Sequence, residues 1–141
     1  MSRPRTILAF DFGLRRIGVA VGQDVTGSAS PLGVIANRST GVDSGKLAAL
    51  LAEWHPTQLV VGMPSHADGS PSDLQEHVEG FIETLRAYGL PVETVDERYT
   101  SVEAERALKT ARQAGTRGRI SKEEIDSAAA VIIAERYLTY R

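Results

Sequence analysis

Apolar residues fall along this chain in short blocks of two kinds, and the alternation between the two lays out the fold. Ile7–Phe10 and Ile17–Val21 are compact apolar runs of the sort that fill strands covered on both faces. Gly13 between them permits a tight reversal, so the pair predicts a β-hairpin with Asp11 at its rim. Ser30–Asn37 predicts a third strand, with Pro31 marking a sheet edge or a strand start, and the following RSTGVDSG reads as a loop. Over residues 43–55, Leu47, Leu50, Leu51 and Trp54 recur at helical spacing, Pro56 closes the helix, and Trp54 is placed in the core. Gln58–Gly62 is the next strand. A polar, turn-rich loop then ends near Asp73, a candidate N-cap. The second helix spans 74–88, with Val78, Phe81, Ile82 and Leu85 on one face and Gly89 as its stop. Leu90–Val95 is a further strand and delivers Asp96 and Glu97, followed at once by Arg98. Helices over 101–112 and 122–140 complete the chain. In the last of these, Ser127–Ala134 (SAAAVIIA) carries no charge, so most of its surface must be packed.

Strands alternating with helices of this length indicate an α/β sheet with helices on both faces, its first strands joined as a hairpin and its later ones by helical crossovers. Sites in such sheets gather at the carboxyl ends of strands, where this pattern puts Asp11, Gly62 and Asp96–Glu97. The 141 residues suit one domain, long enough to hide about two-thirds of its unfolded surface. No internal repeat, low-complexity tract or heptad run interrupts that reading.

Composition narrows the chemistry. With no cysteine there is no disulfide, no thiolate zinc site and no Cys nucleophile. The opening MSRPRTILAF holds too short an apolar run for a signal peptide, and no apolar stretch approaches a membrane span, so a soluble, cytoplasmic protein is expected. A net charge of −2 argues against a strongly basic coat, but charge is clustered: Arg106 to Lys122 holds six basic residues and no acid. Such a run is either a solvated loop or a clamp on phosphates.

Each acid has an ordinary reading beside a chemical one. Asp11 before Gly13 can be turn chemistry, and Asp126, with Glu123 and Glu124, can be a helix-start charge favoured by the dipole. Three carboxylates converging on one rim would repel one another unless a divalent cation neutralised them, and oxygen ligands suit Mg²⁺ or Mn²⁺. Two such ions about 4 Å apart can activate a water for in-line attack on a phosphodiester without any protein nucleophile. His55, His66 and His77 lack metal-ligand spacing. His55 and His77 read as helix-surface residues, and His66 is a candidate for substrate contact.

Four blocks, DFGLRRIGVAV, VVGMP with DGS shortly after, VDERYTSVEA and KEEIDSAAAVIIAERYL, occur in an order and spacing that resemble the YqgF/RuvX family over essentially the whole chain. Members are known as Holliday junction resolvases and as pre-16S rRNA nucleases. The resemblance implies an RNase H-like mixed sheet, antiparallel in its first hairpin and parallel later, flanked by helices. It implies that Asp11, Glu97 and Asp126 form a catalytic, metal-binding triad for Mg²⁺ or Mn²⁺. It also matches Arg16, the Gly62-x-Pro64 pair, Asp68, Gly69 and Ser70, and Arg98, Thr100 and Ser101 to family positions. Arg98 is assigned to phosphate binding or to orienting Glu97, against a structural salt bridge; Tyr99 is assigned to stacking on a base or to packing. Arg112, Arg117, Arg119 and Lys122 of the basic segment complete the expected substrate-binding set. The chain departs from better-understood resolvases of this fold in having no carboxylate on the strand that ends in VVGMP, and in carrying Glu123 three residues before Asp126. Glu123 is either a fourth ligand or an exposed helix start, and the exposed start is the favoured reading.

The expected function is a metal-dependent endonuclease on structured nucleic acid, either branched DNA or precursor rRNA. A four-way junction calls for a homodimer making paired cuts, whereas trimming of an rRNA end can be done by a monomer. A nucleic-acid-binding ribosome-assembly factor with little hydrolytic activity is the alternative. An actin-like ATPase, which also opens on Asp-x-Gly, is disfavoured by the short chain and the lack of a second Gly-rich phosphate loop.

Overall fold

The computed structural model describes residues 5–64, 73–96 and 121–140. Along these run β1 (Thr6–Asp11), β2 (Arg16–Gln23), β3 (Ser28–Arg38), β4 (Gly41–Val42), α1 (Ser44–Trp54), β5 (Gln58–Met63), α2 (Gln75–Arg86), β6 (Val92–Asp96) and α3 (Lys122–Tyr140). The strands form one sheet in the order β4-β3-β2-β1-β5-β6. β1, β2 and β3 are antiparallel neighbours, while β5 lies parallel to β1 and β6 parallel to β5. The mixed sheet expected from the sequence is therefore present.

Strand alternation sorts the apolar residues onto two faces. Leu8, Phe10, Ile17, Val19, Val21 and Ile35 pack with Leu47 of α1 and with Val78, Phe81, Ile82 and Leu85 of α2. Phe10 meets Phe81 edge-to-face at 5.5 Å between ring centroids, a favoured aromatic geometry. On the other face Ile7, Ala9 and Val60 pack against Ile133, Ala134 and Tyr137 of α3. Burial raises the pKa of the Tyr137 phenol, and the Glu93 carboxylate beside it adds to the shift, so the far end of α3 is tied to β6.

Several boundaries differ from the sequence reading for definite reasons. β3 begins at Ser28 and runs through Pro31 because β4 pairs only with its last two residues, Asn37 and Arg38. Pro31 thus lies on an open sheet edge, next to a register shift at Val19/Ala20, where its missing N–H is harmless. The segment expected to be a loop after Arg38 contains the short strand β4, and Asp43 there caps α1, its side chain accepting from the Lys46 N–H. Asp73 does not cap α2: the N-cap residue is Leu74, which makes no side-chain cap bond. That helix stops at Arg86, and Gly89 in the left-handed region (φ 81°) turns the chain into β6, which starts at Val92. Trp54 packs against the first cluster but is only half-buried. The helix expected over 101–112 lies outside the described residues.

Phe10 is fully buried at the centre of the first cluster. Phe10→Ala is expected to destabilise the protein by roughly 3–5 kcal/mol, read in thermal unfolding followed by circular dichroism as a Tm lower by about 10 °C or more.

Candidate active site

β1, β5 and β6 run in the same direction, so their carboxyl ends share one rim of the sheet. Asp11 ends β1. It follows Ile7 and Ala9 in the alternation and so falls on the α3 face. Its cross-strand partner in the hairpin is Gly18.

Gly18 explains how a residue 115 positions away reaches Asp11. A Cβ at Gly18 would collide with the Asp126 carbonyl and lie 3.1 Å from the Ser127 nitrogen, so the backbone of α3 rests directly on β2 at this point. Asp126 and Asp11 therefore flank the same glycine, whose Cα in an antiparallel pair lies about 5 Å from that of Asp11. The contact continues down the strand: Gly22 meets the side chains of Ile7 and Leu138, and Ala20 and Ala130 are fully buried. Small residues on both elements make the uncharged SAAAVIIA stretch a close-packed surface.

Arg16, at the start of β2 and two residues before Gly18, lies on the same face. Its Nε donates to Asp126 Oδ2 at 2.8 Å, and the two side chains are 32% and 27% exposed. The turn between Asp11 and Arg16 is pinned from two sides. The Asn37 side-chain Nδ2 donates to the Gly13 carbonyl at 2.8 Å, and the Asn37 backbone N–H donates to the Arg15 carbonyl at 2.9 Å. On the other side of the turn Phe12 packs on Phe81. Gly13 is needed for closeness, since a Cβ there would come within 2.5 Å of the Arg16 carbonyl oxygen.

The first turn of α3 is ordered by Ser121, whose Oγ accepts the Glu124 N–H at 3.1 Å in an S-x-x-E capping arrangement. Lys122 is exposed one turn before Asp126, and Glu123 is exposed at the helix start. Gly62 follows the Phe10–Val61 pair of β1 and β5, which puts it level with Asp11, and it adds no side chain to the α3 face there. Both Gly62 and Pro64 are buried. Val95 pairs with Gly62 and packs on the α3 face, so alternation turns the exposed Asp96 side chain to the opposite face from Asp11. The Asp96 carbonyl accepts a hydrogen bond from Arg136 Nη1 at 2.9 Å, fixing the end of β6 to α3.

The structure thus brings together Asp11, Arg16 and Asp126, with Lys122 nearby. Glu97, Arg98, Tyr99, Thr100, Ser101, Arg112, Arg117 and Arg119 lie outside the described residues, as do His66, Asp68, Gly69 and Ser70. Asp11 and Asp126 supply hard carboxylate oxygens, a donor set that fits Mg²⁺ or Mn²⁺. Two such donors do not complete a metal site, and among the described residues no group of three His, Cys, Asp or Glu side chains is placed to hold an ion. The sequence reading missed Gly18, Asn37, Arg136 and the Ser121 cap. A signal existed for two of these: a glycine inside an apolar strand marks close backbone approach, and S-x-x-E marks a helix start.

A mixed sheet that is antiparallel in its first hairpin and parallel after it, with α3 crossing that hairpin, defines an RNase H-like fold of the resolvase type, and the similarities to known proteins agree. RuvC of Thermus thermophilus, solved in complex with a Holliday junction substrate, superposes with a TM-score of 0.59 over 96% of this chain and 94% of that one at 13% identity. The yeast mitochondrial Holliday junction resolvase Ydc2 gives 0.55 over 94% of this chain and 77% of that one at 10% identity. Those identities speak for the fold alone.

The family model described as "RuvX: Holliday junction resolvase" matches residues 5–140, and the chain belongs to that family. Relatives named "Putative pre-16S rRNA nuclease" in Burkholderia lata and Burkholderia cenocepacia are 47% and 46% identical over 97% of this chain and 91% of theirs.

Gly18→Ala forces α3 off the sheet because the atoms it meets are backbone, whereas Gly22→Ala meets side-chain atoms, Ile7 Cγ1 at 3.0 Å and Leu138 Cδ1 at 3.2 Å, that need give by only a few tenths of an ångström. The first substitution is expected to lower stability by roughly 2–3 kcal/mol and the second by less than about 1 kcal/mol. Urea unfolding of the two variants side by side gives the comparison; equal losses would contradict the close backbone contact at Gly18.

Proposed function

We propose that this protein is a divalent-metal-dependent endonuclease that hydrolyses phosphodiester bonds in structured nucleic acid, with Asp11, Glu97 and Asp126 as the metal-holding catalytic acids. The observation that carries the reading is that the backbone of α3 at Asp126 rests on Gly18, the cross-strand neighbour of Asp11 at the carboxyl end of β1. Neither acid belongs to the buried core, and carboxylates gathered at such a rim would favour a cation between them. Bound Mg²⁺ or Mn²⁺ supplies activation of a water and stabilisation of the leaving oxygen.

The chain's own residues do the rest. Asp11, on a central strand, and Asp126, on a helix that rests on that hairpin, are both set by rigid elements, so their oxygens keep a fixed relation to a bound phosphodiester. The turn after Asp11, held by Asn37, presents Arg15 and Arg16 at the edge of the site. Arg16, Arg98, Thr100 and Lys122, with Arg112, Arg117 and Arg119 of the basic segment, bind backbone phosphates, and Gly62 and Pro64 shape the floor beside Asp11. The substrate is the branched DNA or precursor rRNA for which relatives and fold neighbours are named, acted on in the cytoplasm. No helix among the described residues is long and apolar enough to cross a membrane.

Cleavage of a labelled four-way DNA junction, a linear duplex and a precursor 16S rRNA fragment in Mg²⁺ or Mn²⁺ tests this reading. Asp11→Asn and Asp126→Asn are each expected to reduce cleavage on the order of 10²-fold or more while leaving the circular dichroism spectrum unchanged. Paired nicks confined to the junction would make the protein a resolvase acting as a homodimer, and cleavage confined to the RNA would make it an rRNA-processing enzyme. Binding without cleavage of any substrate would overturn the nuclease reading in favour of an assembly factor.

A further inference from the structure

Arg16 stands in two relations that conflict. As a residue of the exposed rim beside Asp11 it is placed to hold a phosphate, yet its guanidinium is engaged by Asp126, the acid that the reading above gives to the metal. A cationic side chain and a divalent cation on the same carboxylate repel one another across it, since like charges at a few ångströms disfavour one another. Among the described residues Asp126 is the one hydrogen-bonding partner of the Arg16 side chain, and it is held through Nε alone. Among the described residues nothing engages the two terminal NH₂ groups of Arg16. The pair is about 30% open to solvent on each side, so it is separable rather than locked in the core.

We propose that Arg16 is the exchangeable counter-ion of Asp126: it neutralises the acid where α3 crosses the hairpin, and a divalent cation entering the site takes its place. Arg16 competes with the metal, and by leaving Asp126 it becomes free for a phosphate oxygen, to which its planar fork of donors is suited. The two binding events are then linked, because the cation's arrival is what releases the phosphate-binding group. This inference rests on the metal-dependent reading of Asp11 and Asp126.

Titration of the full chain with Mn²⁺, without nucleic acid, tests it directly. Free Mn²⁺ is read by electron paramagnetic resonance, so no enzymatic activity is involved. Arg16→Gln removes the competing charge and is expected to tighten Mn²⁺ binding on the order of tenfold, whereas Arg16→Lys keeps the charge and stays within about threefold of the parent chain. Adding Asp126→Asn to Arg16→Gln is expected to abolish the gain. Unchanged or weaker binding by Arg16→Gln would overturn the proposal and make Arg16 a positioning residue for Asp126, for which a loss of about 10- to 100-fold in metal affinity is the expected signature. A gain that survives Asp126→Asn would equally overturn it. If neither the parent chain nor Arg16→Gln binds Mn²⁺, the metal-dependent reading fails first and takes this inference with it. Circular dichroism of each variant confirms that a change in affinity is read on folded protein.

Discussion

The close approach of α3 to β2 at Gly18 is the contact on which the rest of this structure depends. A helix ordinarily packs about 10 Å from a sheet, its side chains filling the space between. Here the strand offers Gly18, Ala20 and Gly22 on one face and the helix answers with Ser127, Ala129 and Ala130, so backbone meets backbone at the upper end. The consequence is chemical as much as mechanical. Only a helix this close brings the carboxylate of Asp126 to Arg16 on the adjacent strand position, and any larger side chain at Gly18 would push the helix away.

The same economy of space organises the rim. Asp11 sits where a fully buried strand ends, so its backbone is anchored by Ile7–Phe10 below it while its side chain emerges at the edge. The turn that follows has no regular structure of its own, but Asn37 from β3 and Phe81 from α2 both hold it. A rim held this way keeps its charged groups in register without burying them. Arg136, reaching from α3 to the Asp96 carbonyl, applies the same logic at the end of β6. Solved resolvases share this architecture at 13% and 10% identity, so few of its packing residues need be common to chains with the same fold.

Charge balance at the rim is the second constraint. Arg16, two residues before Gly18 on the same face, neutralises Asp126 there. The hairpin therefore carries one acid, Asp11, and, five positions on, the counter-ion of the other, Asp126.

Much of this was legible before any coordinates. The apolar runs Ile7–Phe10, Ile17–Val21 and Gln58–Gly62 gave the central strands because a strand buried on both faces has no room for polar residues. The uncharged stretch Ser127–Ala134 foretold a helix packed over most of its surface. The resemblance of four blocks to one family named the acids. Boundaries shifted where local signals compete: Asp73 looked like a cap, yet the helix starts one residue after Leu74 without one, and Gly41–Val42 became a strand because β3 happened to extend far enough to pair with it. The chain by itself determined which segments are strands and helices and which residues carry charge, since periodicity and composition are local properties. Only the tertiary structure decided that Asp126 lies against Gly18 and is paired with Arg16, 110 positions away, because contact between distant segments depends on how closely two surfaces can pack, and no local pattern encodes that distance.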